Sequence, residues 1–235
     1  MPQSARHIIC DIVDRLGLSR GLAPFELPYE PYGVGDTERC IEIPWAVSCY
    51  RGEKTVLDVG YANAEERYLK ELLSLKIPHL YGLDMVKKDI QGMTSIVGDV
   101  RKTNFPDDYF DLISCISTIE HIGRDNTVYC DGRAKDDDKG DLHAMKELCR
   151  ITKAGGKIVV TAPYGEFHDY GWFINYDEAR WKRLKEASGC CLLRENFYIY
   201  NGGWRKTEKG RLKGILYRDN NAPAAAGLAC ALLMK

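Results

Sequence analysis

The chain has 235 residues, of which 45% are hydrophobic and 29% are charged, and its formal net charge is −1. This composition is typical of a globular protein and excludes a disordered or fibrous chain. A net charge near zero argues against a global basic field that would attract nucleic acid or an anionic membrane surface. The length fits one domain with modest elaborations.

Targeting signals and cysteine usage indicate the cellular compartment of the protein. No apolar run approaches the roughly 18 residues that a membrane helix needs. The opening residues, MPQSARHIIC, lack the long apolar region of a secretory signal. The nine cysteines are scattered and form no CxxC pair. Such a set predicts reduced structural thiols rather than metal ligands, and a cytoplasmic protein.

Two helices are predicted ahead of the first strand, and together they form an N-terminal helical extension over residues 1–52. Apolar residues recur at helical spacing over residues 4–17. A loop rich in proline and tyrosine follows over residues 24–35. The second helix is predicted for residues 36–50, and we expect it to end or kink at Pro44.

From residue 54 onward, short apolar runs alternate with helical patterns. Runs of this kind predict buried strands over residues 55–60, 79–84, 95–99, 110–116 and 155–163. The helix after the first strand is predicted to be capped by Asn63, with Glu66 completing a capping box. Further helices are predicted over residues 141–152 and 177–188, the second ending at Gly189.

The C-terminal part of the chain differs, because the predicted strands 191–200 and 227–234 have no helix between them. Alternating strands and helices predict a parallel sheet with helices on both faces, whereas the final pair predicts an antiparallel addition at the sheet edge. We therefore expect a Rossmann-like α/β fold, with a seven-stranded, mostly parallel sheet and an antiparallel last strand. Residues 53–235 would form this domain, with inserted loops over 123–141 and 201–224.

Acidic residues and a glycine stand at the carboxyl ends of successive predicted strands. Asp58 and Gly60 end the first strand. Asp84 ends the second, and Asp99 with Val100 follows the third. Open α/β sheets bind their ligands at this edge. A carboxylate at Asp84 can accept hydrogen bonds from both hydroxyls of a ribose, and Asp99 with the neighbouring amide can hold an adenine edge.

This ordered series resembles class I S-adenosylmethionine-dependent methyltransferases. The segment after the fourth strand, with Glu120 and His121, matches the Glu-His pair of that family. The resemblance covers residues 53–163 and implies S-adenosylmethionine as the cofactor. It also implies that Asp58 lies near the amino group of the methionine moiety and that the backbone approaches the ligand closely at Gly60.

The cofactor-binding residues implied by the resemblance flank the ends of the first four strands: Asp58, Gly60, Tyr61, Asp84, Met85, Asp99, Val100, Ser117 and Glu120. The family turn usually carries two or three glycines, whereas Gly60 is followed here by Tyr61. A non-catalytic methyltransferase-like binding protein is therefore one alternative. A nicotinamide-dependent oxidoreductase is another, but its G-x-G-x-x-G motif is absent after the first strand.

Methyl transfer to a hydroxyl requires a side chain that takes up the hydroxyl proton. The sulfonium is already activated, so no metal is needed. The aromatic, glycine-punctuated segment over residues 162–176 is typical of the wall of a small-molecule site. It contains His168, which we predict as the base, with Asp169 or Glu166 orienting it. His121 is the second candidate.

Three other segments have features that bear on the acceptor. The run Asp136–Asp138 can be a metal site, although a solvated turn is the commoner arrangement. Basic residues concentrated over 201–221 can attract a phosphorylated or nucleotide-linked acceptor, or form a solvated hairpin tip. The stretch over residues 29–45 can cover the cofactor cleft, and its candidate residues are Tyr32, Arg39, Glu42 and Trp45.

The resemblance implies an enzyme that transfers a methyl group from S-adenosylmethionine to a small polar acceptor. The layout before the first strand resembles that of sugar- and glycan-modifying methyltransferases, which implies a hydroxyl of a sugar or sugar nucleotide. We expect no membrane partner. A nucleic-acid substrate is disfavoured, because the Asn/Asp-Pro-Pro-Tyr/Phe signature of enzymes that methylate nucleic-acid amino groups is absent and Ser117–Glu120 stands in its place. The oligomeric state and the identity of the acceptor are not readable from the sequence.

Overall fold

The computed structural model describes residues 25–129 and 137–235. The helix predicted over residues 4–17 lies outside the described residues, as does Asp136. None of the described helices is long and apolar enough to cross a membrane.

The described residues form an α/β protein. Their α-helices are α1 (Arg39–Val47), α2 (Glu66–Ser74), α3 (Gly140–Ile151) and α4 (Glu178–Ser188). Their strands are β1 (Thr55–Val59), β2 (His79–Asp84), β3 (Thr94–Val97), β4 (Phe110–Ile116), β5 (Thr152–Pro163), β6 (His168–Asp169), β7 (Ile174–Asn175), β8 (Cys191–Tyr200), β9 (Trp204–Thr207) and β10 (Gly227–Met234). Strands β6 and β7 form a small hairpin of their own.

The main sheet has eight strands in the order β3-β2-β1-β4-β5-β10-β8-β9. The first five of these strands are parallel. Four of the five residues of β1 are buried, as expected for a central strand that is covered on both faces. The register aligns Asp58 with Gly82 on one side and with Ser114 on the other, so the strands end side by side. The predicted Rossmann-like sheet is confirmed.

The antiparallel end of the sheet differs from the prediction in its arrangement. Strand β10 lies between β5 and β8, antiparallel to both, and is therefore an interior strand rather than an edge strand. Its sequence, GLACALLM, is apolar without alternation, which requires cover on both faces, and seven of its eight residues are buried. The edge is formed by β9, which brings the sheet from the predicted seven strands to eight.

The short edge strand β9 has the sequence WRKT, which contains no apolar run. Only Trp204 of this strand is buried. Strand β8 pairs with it on one side, and an isolated bridge between Tyr32 and Trp204 covers part of the other. This pairing connects the N-terminal segment to the sheet over a long sequence separation, so no local pattern marks it.

Helix ends confirm some predicted signals and correct others. Asp177 caps α4 by accepting a hydrogen bond from the Arg180 backbone N–H at 2.8 Å, and Gly189 ends that helix with a left-handed conformation. The predicted cap at Asn63 is wrong. Residues 61–63 form a 3₁₀ turn, and α2 begins only at Glu66 with no side-chain cap.

Helix α1 continues through Pro44 to Val47, so it does not end at Pro44, one of the two predicted outcomes. Burial holds the helix in place, because Ile41 and Trp45 are fully buried. The Trp45 indole N–H also donates to Asn196 Oδ1 of β8 at 2.8 Å. These contacts hold α1 in place against the sheet, and they also set the position of Arg39 on this helix.

The cysteines are mostly packing residues, as predicted. Among the described cysteines, Cys49, Cys115, Cys190 and Cys230 are buried. Cys191 is disulfide-bonded, which contradicts the prediction that all nine are reduced.

Candidate active site

A cavity opens at the carboxyl ends of β1, β2, β3 and β4, the edge that the sequence predicts for ligand binding. It contains about 1180 Å³ of empty space, part of which is open to solvent. Arg39 and Ile43 of α1 and the segment over residues 121–129 complete its wall. The N-terminal stretch that was predicted to cover the cleft therefore reaches it through α1.

Asp58 is the most buried carboxyl group that lines the cavity, with only 2% of the residue exposed. The Tyr68 hydroxyl donates to its Oδ1 at 2.6 Å, and its Oδ2 has no partner among the described residues. Burial raises the pKa of the Asp58 carboxyl to about 7. A buried oxygen without a partner at a cavity wall fits an ammonium group, which would supply both the missing hydrogen bond and the opposite charge.

Gly60 lines the cavity, and the turn at the end of β1 requires a glycine there. Its φ is +86°, in the left-handed region that favours glycine. A Cβ at this position would lie 2.3 Å from Thr118 Oγ1, and the Gly60 N–H donates to the Leu83 carbonyl at 2.9 Å. The predicted close approach of the backbone to the ligand stays a prediction: Gly60 lines the cavity, and the Thr118 side chain, just after β4, packs against it.

Asp84 lines the cavity at the end of β2 and keeps hydrogen-bond acceptor sites for a ligand. Its Oδ2 accepts from the Ala62 N–H and its Oδ1 from the Val86 N–H, each at 3.0 Å. An ionised carboxylate offers about four acceptor sites. Two sites therefore stay available for the paired hydroxyls of a ribose.

Asp99 lines the cavity at the end of β3, next to Val100. The Arg101 guanidinium donates to both of its oxygens at 2.7–3.0 Å. These hydrogen bonds outweigh desolvation and keep the pKa of Asp99 below its ordinary value. Much of the acceptor capacity of Asp99 is thus already used by Arg101, which leaves the backbone around Val100 as the better partner for an adenine edge.

The other predicted cofactor residues separate into two groups. Met85 and Ser117 line the cavity. Tyr61 does not, because its fully buried ring packs against Gly82 and its hydroxyl donates to the Lys88 carbonyl. Glu120 is also buried behind the wall rather than lining it, with 2% of the residue exposed.

His121 lines the cavity and has a defined tautomer. Its Nδ1 lies 2.8 Å from the Trp172 carbonyl oxygen. Because a carbonyl can only accept, Nδ1 carries the hydrogen and Nε2 is left with a free lone pair. Burial lowers the pKa of His121 to about 4, so the ring is neutral at pH 7.

The structure does not bring His168, the leading base candidate, to the cavity. It lies exposed on the two-residue strand β6. Its predicted orienting partner Asp169 accepts instead from Arg124 at 2.7 Å and from the Gly171 N–H. Glu166 is exposed as well. The short hairpin of β6 and β7 leaves both His168 and Asp169 exposed.

Two residues that line the site gave no signal as site residues in the sequence. Tyr68 of α2 binds Asp58, and Thr118 packs over Gly60. The position of Tyr68 on the buried face of α2 suggests only core packing. Among residues 25–129 and 137–235, no group of three or more His, Cys, Asp or Glu side chains could hold a metal ion.

The fold and this cavity agree with the class I S-adenosylmethionine-dependent methyltransferases that the sequence resembles. Residues 57–160 match the family described as methyltransferase domain. No curated protein sequence matches the chain. The predicted enzyme class and its cofactor, S-adenosylmethionine, are confirmed, and the chain carries a methyltransferase domain over the matched residues.

Solved structures share the fold at low sequence identity. The YcgJ protein of Bacillus subtilis is 15% identical, with 83% of this chain and 97% of that chain covered and a TM-score of 0.54. An S-adenosylmethionine-dependent methyltransferase of Methanosarcina mazei is 13% identical, with 82% and 97% covered and a TM-score of 0.56. The 1,6-didemethyltoxoflavin-N1-methyltransferase of Burkholderia thailandensis, whose structure contains its substrate and S-adenosylhomocysteine, is 11% identical, with 91% and 92% covered and a TM-score of 0.53.

Proposed function

We propose that the enzyme transfers the methyl group to a hydroxyl of a small polar acceptor such as a sugar, and that His121 Nε2 takes up the hydroxyl proton. The observation that carries this proposal is the fixed tautomer of His121 at the cavity wall. A lone pair on a neutral imidazole is the acceptor that deprotonation of a hydroxyl needs.

The strand order supports a division of the cavity into a cofactor part and an acceptor part. Strands β3, β2, β1 and β4 are successive neighbours, spaced by about 4.8 Å. Asp99 and Asp84 follow the first two of these strands, and Ser117 and His121 follow the last. An adenosine held at Asp84 and Asp99 would therefore direct its sulfur toward the end of β4.

The cofactor, when bound, supplies a methyl group that is already activated by the sulfonium charge. The residues of this chain contribute binding and orientation. Asp58 would bind the amino group of the methionine moiety, and Asp84 the ribose. His121 would hold the acceptor proton at Nε2, while Tyr129 and Trp172, whose rings pack on the imidazole, limit access of water. Alignment of the two reactants provides much of the expected rate enhancement.

Comparing His121→Gln with His168→Ala tests the proposed base. We expect His121→Gln to lower kcat by about 100-fold or more, because loss of a general base typically has that effect. We expect His168→Ala to leave kcat within a few-fold of the wild type. The measurement is formation of S-adenosylhomocysteine with an acceptor found in a screen of sugars, sugar nucleotides and phenols. Unchanged kcat in His121→Gln, with cofactor affinity intact, would remove His121 from this role.

The non-catalytic alternative makes a different prediction in the same screen. A binding protein of this fold would bind S-adenosylhomocysteine but transfer no methyl group to any acceptor. The proposal expects both binding and turnover.

A further inference from the structure

Arg39 of α1 presents hydrogen-bond donors to the cavity. It lines the cavity wall, and 33% of its side chain is exposed. Its Nη1 donates to Glu42 Oε1, whereas its Nε and Nη2 donate to no group in residues 25–129 and 137–235. A guanidinium carries five N–H donors in a planar fork. Most of the donors of Arg39 are therefore left for a ligand.

Glu42 holds Arg39 in place without occupying the rest of its donors. Glu42 is fully buried and does not line the cavity. Its Oε2 accepts from the hydroxyls of Ser117 and Thr161, each at 2.7 Å. Rotation of the carboxylate toward a second N–H of Arg39 would break these two hydrogen bonds. The guanidinium is thus fixed before a ligand arrives, which reduces the entropy lost on binding.

The other buried carboxyl groups near Arg39 add little negative charge. Burial raises the pKa of Glu120 well above its ordinary value and that of Glu38 to about 7. At pH 7, Glu120 is therefore protonated and Glu38 is about half protonated. Glu42 raises the pKa of Arg39, so the guanidinium keeps its charge.

The second cation of the cavity wall is already engaged. Among the residues that the structure describes, Arg39 and Arg101 are the arginines that line the cavity, and no lysine does. Arg101 forms ion pairs with Asp99 and Asp137. Arg39 is therefore the better candidate for an anionic ligand.

The charge of Arg39 acts on the acceptor part of the cavity. The hydrogen bond from Ser117 to Glu42 joins α1 to the segment after β4. The charge of Arg39 contributes to the low pKa of His121, whereas Arg39 is not among the groups that shift the pKa of Asp58. A ligand of Arg39 would therefore lie beside the proposed base rather than beside the cofactor ammonium.

We propose that the acceptor is a small hydroxy acid, such as a sugar acid, whose carboxylate binds the Nε and Nη2 fork of Arg39 while its hydroxyl lies at His121 Nε2. This inference rests on the proposed function, because it names the class of acceptor for the same cavity. The fork matches the two oxygens of a carboxylate. A carboxylate there also offsets the positive charge that disfavours protonated His121, so it assists uptake of the hydroxyl proton.

The basic loop over residues 201–221 does not supply an anion site to the cavity. Lys206 pairs with Glu26, and Lys209 pairs with Glu178. Both lysines are exposed, so solvent screens their charge. No cation of that loop lines the cavity, among the residues that the structure describes.

Two matched triads of probes test the proposal: glucuronate, glucose and glucosamine, and 4-hydroxyphenylacetate, 4-ethylphenol and tyramine. Each triad keeps a similar ring and varies the charge. Binding of each probe to the S-adenosylhomocysteine-loaded protein and methylation with S-adenosylmethionine are both measured. We expect the acid in at least one triad to bind about 10-fold more tightly than its neutral analogue, and the amine to bind most weakly.

Arg39→Gln should reduce this preference to within about 3-fold. Arg67→Gln, which removes an exposed arginine of α2, is the matched control and should keep it. Because Arg39→Gln leaves Glu42 buried without its cation, that variant can be unstable. The double variant Arg39→Gln with Glu42→Gln replaces the ion pair by two amides and should also lose the preference.

The cofactor also carries a carboxylate, and a second comparison tests whether Arg39 binds that group instead. S-adenosylhomocysteine and its decarboxylated analogue are each titrated into the wild type and the double variant. We expect the double variant to bind S-adenosylhomocysteine within about 3-fold of the wild type. A larger loss that is absent for the decarboxylated analogue would assign Arg39 to the cofactor and overturn the inference.

Three results of the probe experiment would also overturn it: neutral probes that bind as well as the acids, no binding by any probe, or an acid preference that survives in the double variant. Selective binding of the acid without methylation would instead contradict the proposed function and leave this inference standing.

Discussion

Replacing Asp58 by asparagine is expected to weaken S-adenosylhomocysteine binding by about 100-fold, since a charged hydrogen bond to the ligand ammonium would be lost. Oδ2 of Asp58, in the cavity wall, is buried and has no hydrogen-bond partner among the described residues. Asparagine has nearly the same shape, so the change removes the charge and leaves the packing. Isothermal titration at pH 8 provides the measurement.

The same substitution should make the protein more stable at pH 8. Burial raises the pKa of Asp58 from 3.8 to about 7, so the folded state keeps a proton that the unfolded state releases between those values. The free energy of unfolding therefore falls as the pH rises from about 4 to 7, by up to about 4 kcal/mol from this group. Asp58→Asn lacks this titrating group, so its free energy of unfolding should exceed that of the wild type at pH 8 and equal it near pH 4. Denaturant unfolding at the two pH values measures this difference.

Asp89→Asn is the matched control for both effects, because Asp89 is an exposed carboxylate just after β2. It should change neither ligand affinity nor unfolding. A fall in stability of Asp58→Asn at pH 8, or unchanged affinity for S-adenosylhomocysteine, would show that Asp58 is an ordinary structural carboxylate.

Cofactor affinity of the wild type is expected to depend steeply on pH below neutrality. In the free protein Asp58 takes up a proton as the pH falls below about 7. Binding of an ammonium group requires the ionised carboxylate, so that proton must leave. The affinity for S-adenosylhomocysteine should then approach a tenfold fall for each pH unit below 7, which amounts to about 50-fold between pH 7 and pH 5.

Two controls separate Asp58 from the other groups that titrate in this range. Titration at pH 6 in buffers of different ionisation enthalpy should show release of nearly one proton on binding. Asp58→Asn should bind weakly with a flat pH profile, whereas Glu38→Gln, which removes the other carboxyl with a pKa of about 7, should keep the wild-type slope. If the affinity of the wild type did not change with pH, the cofactor ammonium would bind to a group other than Asp58.

The positions of the strands and of the carboxyl groups at their ends were predictable because local sequence determines them. Short apolar runs mark β1, β2 and β4, and parallel strands that end at one sheet edge bring Asp58, Asp84 and Asp99 together. The helix cap was not predictable in the same way. Asn63 has the right residue type, but the tight turn over Gly60 runs into a 3₁₀ turn, and this delays the start of α2 to Glu66.

The acceptor part was harder to predict because its residues meet from distant parts of the chain. Glu42 binds Ser117 and Thr161 across separations of 75 and 119 residues. His168 and His121 have equally plausible sequence surroundings. Only the β6–β7 hairpin, which exposes the first, and the Trp172 carbonyl, which fixes the second, distinguish them.

Titration of the wild-type chain with S-adenosylhomocysteine at pH 8 tests the central claim most directly. Asp58 is ionised at that pH, and the cavity at the ends of β1 to β4 should bind one ligand per chain. Binding at one site, lost in Asp58→Asn and kept in Asp89→Asn, is the predicted result. Absence of binding at millimolar ligand, by a folded wild-type protein, would contradict the assignment of this cavity as a cofactor site.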